Sequence, residues 1–329
     1  MRYRPLGTSG IDASVIGIGT AAIRGGTADD DEFVQAIRAA IDSGVTLIDT
    51  APSYGWGHSE EVVGKAIKGR RDQVVIATKC GVWWDDARGS YNGVKDGKIN
   101  YVSLRPDTIT IEVENSLRRL GVDTIDLLQC HKPAKPPEET PIPETMGCLM
   151  DLKDQGKIRA IGVSNVSLDQ LDAYREAGDL ASDQFRYSMI LRDREADILP
   201  YCAEHNIATL TYWSLEQGLL TGKVGLDRVF RKDDFRNTAD AWLPWFKLDN
   251  RQRLLDMFAG WVDMTVKYDC TIAQLAIAWT AAQTGATHVL CGVRTVEQAI
   301  QNAGAGALEL EANDGERVRD DLVALGDPV

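Results

Sequence analysis

Three observations predict an α/β chain closed into a single (β/α)8 TIM barrel. Roughly eight short β-branched runs alternate with amphipathic helical periods, no linker or repeat divides them, and polar residues stand at the C-terminal ends of the runs. A β-hairpin precedes the barrel at the N-terminus, and long loops follow its strands at the C-terminal face. Residues 1–329 are read as one domain, since barrels of this kind fill about 250 residues or more as a unit.

The elements follow in order. Tyr3 to Leu6, the turn Gly7-Thr8-Ser9-Gly10 and the run from Ile11 form the hairpin, and Val15 to Gly19 forms the first buried strand. Asp30 and Asp31 open a helix with Phe33, Ile37, Ala40 and Ile41 on one face and Gly44 as its stop. Leu47-Ile48-Asp49 is the next strand, and Ser59-Glu60-Glu61 starts a helix with acids in its first turn. Val74 to Lys79 is a third strand. A Gly- and Asp-rich loop from Gly81 to Val102 carries Trp83, Trp84 and Tyr91, and a loop that long suggests function.

A helix spans Pro106 to Leu120 and stops at Gly121; strand four runs from Ile125 to Cys130 and ends at His131. Ile142 to Gln155 is helical, Ala160 to Val163 extended and followed by Ser164-Asn165, and Leu168 to Ala177 helical. Ser182 to Phe185 makes a weak strand, Asp197 to His205 a helix and Ala208 to Tyr212 strand seven. After a long loop from Gly218 to Asn250, helices lie near Arg251 to Tyr268 and Thr271 to Thr284. His288 to Cys291 is the last strand, Val296 to Ala303 its helix, and a charged helix follows Asp314.

A net charge of −13 repels nucleic acid and anionic membrane alike. No early segment has the apolar core of a secretion signal, and no run reaches membrane-spanning length. The six cysteines are scattered without a C-x-x-C pair, as free thiols in a reducing compartment are. A cytoplasmic protein with no nucleic-acid or membrane partner is expected.

In a barrel, strand C-termini share one mouth, so Asp49, Lys79, His131, Ser164, Gln184, Tyr212 and Gly292 converge there. Tyr54 joins them, five residues beyond Asp49. A phenol with a pKa of about 10 is a poor proton donor near neutrality. A neighbouring ammonium lowers that value, and a carboxylate holds the ammonium charged and aimed. Lys79 and Asp49 fit those roles, with Tyr54 as general acid for a carbonyl oxygen and His131 as a second donor to it. With no metal constellation and no activated nucleophile in the sequence, a hydride donor is the natural complement.

Asp49-Thr-Ala-x-x-Tyr54-Gly-x-Gly-x-Ser59-Glu60, Thr78-Lys79, Asp126-Leu-Leu-Gln-Cys-His131, Ile161-Gly-Val-Ser164-Asn165 and Gly218-Leu-Leu-Thr-Gly222-Lys223 occur in that order. Together they resemble the aldo-keto reductase superfamily from about Arg4 to Asn302. The resemblance implies NADP-dependent interconversion of a small carbonyl or sugar-like substrate and its alcohol, through the tetrad Asp49, Tyr54, Lys79 and His131. It also implies that Ser164, Asn165 and Gln184 hold the nicotinamide carboxamide while Tyr212 stacks on the ring. Gly19 and Thr20 join Asp49 around the cofactor, and Ser214, Leu215, Gly218 and Lys223 follow the pyrophosphate. Gly292, Arg294, Gln298 and Asn302 surround the adenosine, where Arg294 suits a 2′-phosphate and so favours NADP over NAD.

Two positions depart from the family pattern. Gly17-Ile-Gly19-Thr20 is followed by Ala21 and Ala22 rather than leading to a tryptophan, and the usual Ser-Pro-Leu is Trp213-Ser214-Leu215. Pocket shape is therefore not transferable, and Trp56, Trp83, Trp84 or Trp245 are candidates for the missing wall. Alternatives are an NAD-dependent sugar or cyclitol dehydrogenase of the same superfamily, or a cofactor-binding regulatory subunit with little turnover.

Two other signals carry less. Gly17 to Ala22 mimics a Rossmann fingerprint, but Gly25-Gly26 interrupts the helix that motif needs. Tyr91-x-x-x-Lys95 mimics a short-chain dehydrogenase pair but falls in a loop. Cys80 and Cys130, beside the tetrad, should face the opposite side of their strands and pack in the core. His58 and His288 are read as structural or exposed and His205 as lying near a helix end.

Overall fold

The computed structural model describes residues 1–23, 30–232 and 234–329. Eight parallel strands close into a barrel in strict chain order: Ile16–Gly19, Leu47–Asp49, Val75–Cys80, Ile125–Cys130, Ile158–Ser164, Leu180–Arg186, Ala208–Tyr212 and His288–Gly292. Pairing of the last strand with the first, from Val289 opposite Ile16 to Gly292 opposite Gly19, makes the closure. Because side chains alternate along a strand, half of each faces the barrel interior and half the surrounding helices.

Interior and exterior form separate cores. Leu47, Val75, Leu127, Ala160, Ala181, Leu210 and Leu290 fill the interior, and Leu6, Ile11 and Ala13 of the hairpin plug its N-terminal end. The hairpin is Tyr3–Pro5 paired antiparallel with Asp12–Ser14, as expected. Gly7 in its turn has φ +57, and a Cβ there would lie 2.1 Å from Ala181 O, so only glycine fits. Outside the barrel, Ile37, Val63, Val113, Leu149 and Leu171 of the helices pack on Ile48, Ile76, Leu128 and Val163.

Local signals account for several helix ends. The helix Asp30–Asp42 buries Phe33, Ile37, Ala40 and Ile41. Pro106 opens the helix to Leu120, and Gly121, at φ 67, closes it. Ser167 with Gln170, and Thr271 with Gln274, make capping boxes on Leu168–Ala177 and Ile272–Ala281. His205 caps the C-terminus of Ile198–Glu204. Gly25-Gly26, on which the Rossmann argument turned, lies outside the described residues.

The loop readings need revision. Residues 81–102 contain a three-stranded antiparallel sheet of Val82–Trp83, Ser90–Lys95 and Lys98–Val102. Its glycines and aspartates, Gly89, Gly93, Gly97, Asp85, Asp86 and Asp96, give the segment the composition of a loop, and its strands leave Tyr91, Val94 and Ile99 exposed. Tyr91 and Lys95 thus lie on a strand, not a helix. Residues 218–250 include short 3-10 segments, Phe235–Ala241 and Pro244–Phe246 among them, and the helical stretch after 250 breaks at Gly260 into Leu248–Ala259 and Val262–Lys267. Among the described residues no helix is long and apolar enough to cross a membrane.

Candidate active site

Asp49 ends the second barrel strand and Lys79 lies one residue before the end of the third, so both side chains enter the mouth. Lys79 is buried and donates from Nζ to Asp49 Oδ1 at 2.7 Å and to Thr50 O at 2.9 Å. The other carboxylate oxygen, Asp49 Oδ2, accepts from Gln184 Nε2 at 2.8 Å and Gln129 Nε2 at 3.1 Å. A buried carboxylate is sustained by such multiple donors. Burial pulls the Lys79 pKa down, but Asp49 and Tyr54 outweigh it and the ammonium titrates above its ordinary value.

Tyr54 precedes the tight turn Gly55-Trp56-Gly57, in which all three residues have positive φ. Lys79 Nζ lies 5.0 Å from the centroid of the Tyr54 ring. The His131 ring stands edge-on to Tyr54, with centroids 5.7 Å apart and planes at 85°. All four expected tetrad side chains therefore meet at one end of the barrel.

The electrostatics correct one expectation. Removal from water raises the Tyr54 pKa; Lys79 lowers it, Asp49 raises it again, and the result stays above the ordinary tyrosine value. The ammonium therefore does not bring the phenol toward neutrality in the protein alone, because desolvation is the larger effect. His131 shifts the other way, well below its usual value, through burial and the positive charges of Lys79, Lys132 and Lys95. At neutral pH the mouth offers a protonated phenol and a neutral imidazole, with Ser53 Oγ 3.4 Å from His131 Nδ1.

Around this centre the expected cofactor residues form a connected rim. Ser164 Oγ donates to Gln184 O at 2.8 Å, Asn165 Nδ2 to Ser164 Oγ at 2.9 Å, and Tyr212 OH to Asn165 Oδ1 at 2.8 Å. Gln184 directs its amide hydrogens to Asp49 Oδ2 and to Gln129 Oε1, 3.0 Å away, which leaves its own oxygen as the acceptor for a ligand. Thr20 is tied back, donating from Oγ1 to Asp49 O at 3.0 Å. Gly19 and Gly292 face each other across the closing strands, and a Cβ on either would meet nothing nearer than 3.9 Å. Packing does not require glycine there; the space suits a ligand lying against bare backbone.

Farther out, Ser214 is buried against Thr211 O at 3.1 Å. Trp213, Glu216, Gln217 and Gly218 all take positive φ, a backbone form that builds anion cradles. Leu215 caps that turn and Lys223 is exposed beyond it. Arg236 reaches across from the long loop, with Nη1 donating to Gln217 O at 3.1 Å. Arg294 is exposed just before the cap of Val296–Gly304, its N–H bonded to Gln298 Oε1 at 2.9 Å, and Asn302 Nδ2 donates to Gly292 O at 3.4 Å.

Sequence reasoning missed three participants. Gln129 lay inside a quoted motif without a role, although alternation from His131 puts it inside the barrel. Glu60 is fully buried, accepting from Thr78 Oγ1 at 2.6 Å and Arg119 Nε at 2.7 Å. It fastens the outer face of the Lys79 strand. Glu112 accepts from Gly81 N–H at 2.7 Å, and burial pushes its carboxyl up to about 8. Of the tryptophans, Trp56 and Trp84 stack edge to face at 5.2 Å near the mouth. Trp83 is buried with its indole N–H on Asp86, and Trp245 is buried in the apolar cluster around residues 219–279. His58 lies 2.7 Å from Asp30 Oδ1, and His288 is buried with Nδ1 3.1 Å from Ser14 O, so both are structural. Cys80 and Cys130 are free and buried in the outer core.

A closed parallel barrel whose mouth gathers a phenol, an ammonium, a carboxylate and an imidazole places the molecule in the TIM-barrel class, with its ionisable side chains at the C-terminal strand ends. The aldo/keto reductase family model matches residues 15–320, and the chain belongs to that family. The NADH-specific methylglyoxal reductase of Escherichia coli (strain K12) is 40% identical over 331 residues, spanning 99% of both chains. Among solved structures, the glycerol dehydrogenase of Gluconobacter oxydans superposes with a TM-score of 0.86 at 37% identity, covering 99% of this chain and 96% of that one. An aldo/keto reductase from Klebsiella pneumoniae, solved in complex with NADP and acetate, gives a TM-score of 0.72 at 28% identity, over 97% and 95% of the chains.

Proposed function

We propose that the whole chain is one cofactor-binding unit that reduces small aldehydes, ketones or sugar-like carbonyls with a nicotinamide nucleotide, with Tyr54 as the proton donor. The observation that carries this reading is the Lys79–Asp49 contact of 2.7 Å directly beneath the Tyr54 ring. The bound nucleotide supplies or accepts the hydride. Everything else falls to side chains.

Tyr54, held protonated by burial, gives its proton to the carbonyl oxygen as negative charge develops there. Lys79 stays cationic because Asp49 is within contact, and it stabilises the phenolate left behind. Neutral His131 donates a hydrogen bond to the same oxygen and orients the substrate without competing as an acid. In the reverse direction the phenolate removes the alcohol proton.

The rim fits the nucleotide: the Gln184 oxygen and the Asn165 amide suit a carboxamide, Tyr212 a flat ring, and the bare backbone at Gly19 and Gly292 a close approach. The cradle from Ser214 through Gly218, with Lys223, suits a diphosphate. NADP is the proposed nucleotide, because the exposed Arg294 guanidinium at a helix start suits a 2′-phosphate. The name of the Escherichia coli relative points to NADH instead.

A panel of carbonyls and polyols, read at the nicotinamide absorbance band with both nucleotides, tests the proposal. Multiple turnovers on a carbonyl support it, and a single stoichiometric oxidation of bound nucleotide overturns it in favour of a regulatory subunit. Arg294→Ala decides the nucleotide: NADP-linked kcat/KM falls about tenfold or more and the NAD-linked value does not.

A further inference from the structure

We propose that Arg186 and Glu216 are positioning residues whose ion pair sets the balance between oxidised and reduced nucleotide at the barrel mouth. Glu216 cancels the Arg186 charge, which would otherwise repel the positively charged oxidised nicotinamide. The inference rests on the nicotinamide reading of the site. It extends that reading from which groups hold the nucleotide to which redox form they hold more tightly.

Arg186 ends the sixth barrel strand, Leu180–Arg186, and pairs in register with Tyr212 at the end of the seventh. Two residues on from Gln184, it leaves the strand on the same side as that side chain. Its guanidinium lies 4.6 Å from the centroid of the Trp213 ring, which stands edge-on to Tyr212 with centroids 6.3 Å apart and planes at 85°. Burial raises the Tyr212 pKa, and Arg186 is the charge that lowers it most. A positive charge therefore acts on the phenol proposed to stack against the nicotinamide.

Glu216 approaches from the cradle. It sits in the left-handed run at φ 44 and is only 2% exposed. A carboxylate buried in a turn that receives a diphosphate opposes that ligand unless a cation answers it. Arg186 answers it bidentately, donating from Nε to Glu216 Oε1 at 3.2 Å and from Nη2 to Oε2, while Ser188 Oγ donates to Oε1 at 2.9 Å. Glu216 N–H donates to Trp213 O at 2.7 Å, so the acid, the turn and the stacked indole form one unit.

The pair thus joins the ring end of the site to its diphosphate end. The diphosphate is the same in both redox forms, whereas the ring is positive when oxidised and neutral when reduced. A change in the net charge of the pair separates the two forms; a merely loosened turn weakens both alike.

Dissociation constants for the oxidised and reduced forms of one nucleotide, measured by tryptophan fluorescence quenching, test the proposal. In Glu216→Gln, which keeps an acceptor for Ser188, the uncovered Arg186 should raise the ratio of oxidised to reduced Kd about threefold or more. In Arg186→Gln the uncompensated carboxylate should lower that ratio and weaken both forms. Arg186→Lys keeps the charge but not the planar fork, and should hold the ratio within about twofold of wild type even where affinity falls. A ratio unmoved in Glu216→Gln, or displaced in the same direction by both glutamine variants, overturns the inference while the nucleotide reading stands. A wild-type protein that binds neither form overturns that reading as well.

Discussion

Lys79 Nζ and Asp49 Oδ1 are 2.7 Å apart in a pocket closed to solvent, and this ion pair joins two adjacent barrel strands at the mouth. Breaking such a pair by removing one partner leaves a charge buried without compensation. Lys79→Met is therefore expected to cost about 3 kcal/mol or more of stability in urea unfolding and to reduce carbonyl reduction about 10²-fold or more. Normal turnover in a folded Lys79→Met protein would remove the ammonium from the mechanism.

The pH dependence follows from two opposite shifts. Tyr54 titrates above 10.0, so the proton it donates is present throughout the neutral and mildly alkaline range. His131 titrates below 6.5, so it is neutral over the same range. Reduction should run at a constant kcat from about pH 6 to about pH 9, while alcohol oxidation, which needs the phenolate, should rise with pH. A reduction profile falling with a midpoint near neutrality contradicts the assignment.

Glu112 ties stability to pH. Its folded pKa of about 8 exceeds the ordinary 4.5, so the folded state holds a proton that the unfolded chain releases. Its contribution is fully present below about pH 4.5, declines as pH rises from there toward 8, and is gone above that. Glu112→Gln keeps an acceptor for the Gly81 N–H and abolishes this titration. It should raise the Tm at pH 8 by several degrees and leave it nearly unchanged at pH 4.5, as thermal melts at both values would show.

At the opposite end of the barrel, Leu6 is fully buried among interior side chains. Leu6→Ala should cost about 2 to 5 kcal/mol by opening a cavity without altering the kcat of the protein that remains folded. A cost below about 1 kcal/mol in denaturant titration would mean that the hairpin does not plug the barrel.

Periodicity made the barrel readable, because each strand is a short buried run and each helix presents one apolar face. Pro106 with Gly121 marked helix boundaries that the structure keeps to the residue. The convergence of Asp49, Tyr54, Lys79 and His131 was legible for the same reason, since strand ends in a barrel meet wherever they fall in the chain. The inserted sheet was not, because Gly89, Gly93, Gly97 and the aspartates between 85 and 96 read as a loop, and only the folded chain shows them pairing as strands. The direction of the Tyr54 shift was hidden too, as it depends on how much water three-dimensional packing removes. Glu60 reads in sequence as an acid in a helix first turn, and only the position of Arg119 on another helix shows why it is buried.

Tyr54→Phe tests the central claim most directly, because it deletes one oxygen and leaves the ring that packs against Lys79 and His131. Nucleotide affinity, followed by tryptophan fluorescence, should stay within about twofold, while kcat for carbonyl reduction falls about 10²- to 10⁴-fold. A Tyr54→Phe protein that turns over at the wild-type rate would show that the proton comes from another group.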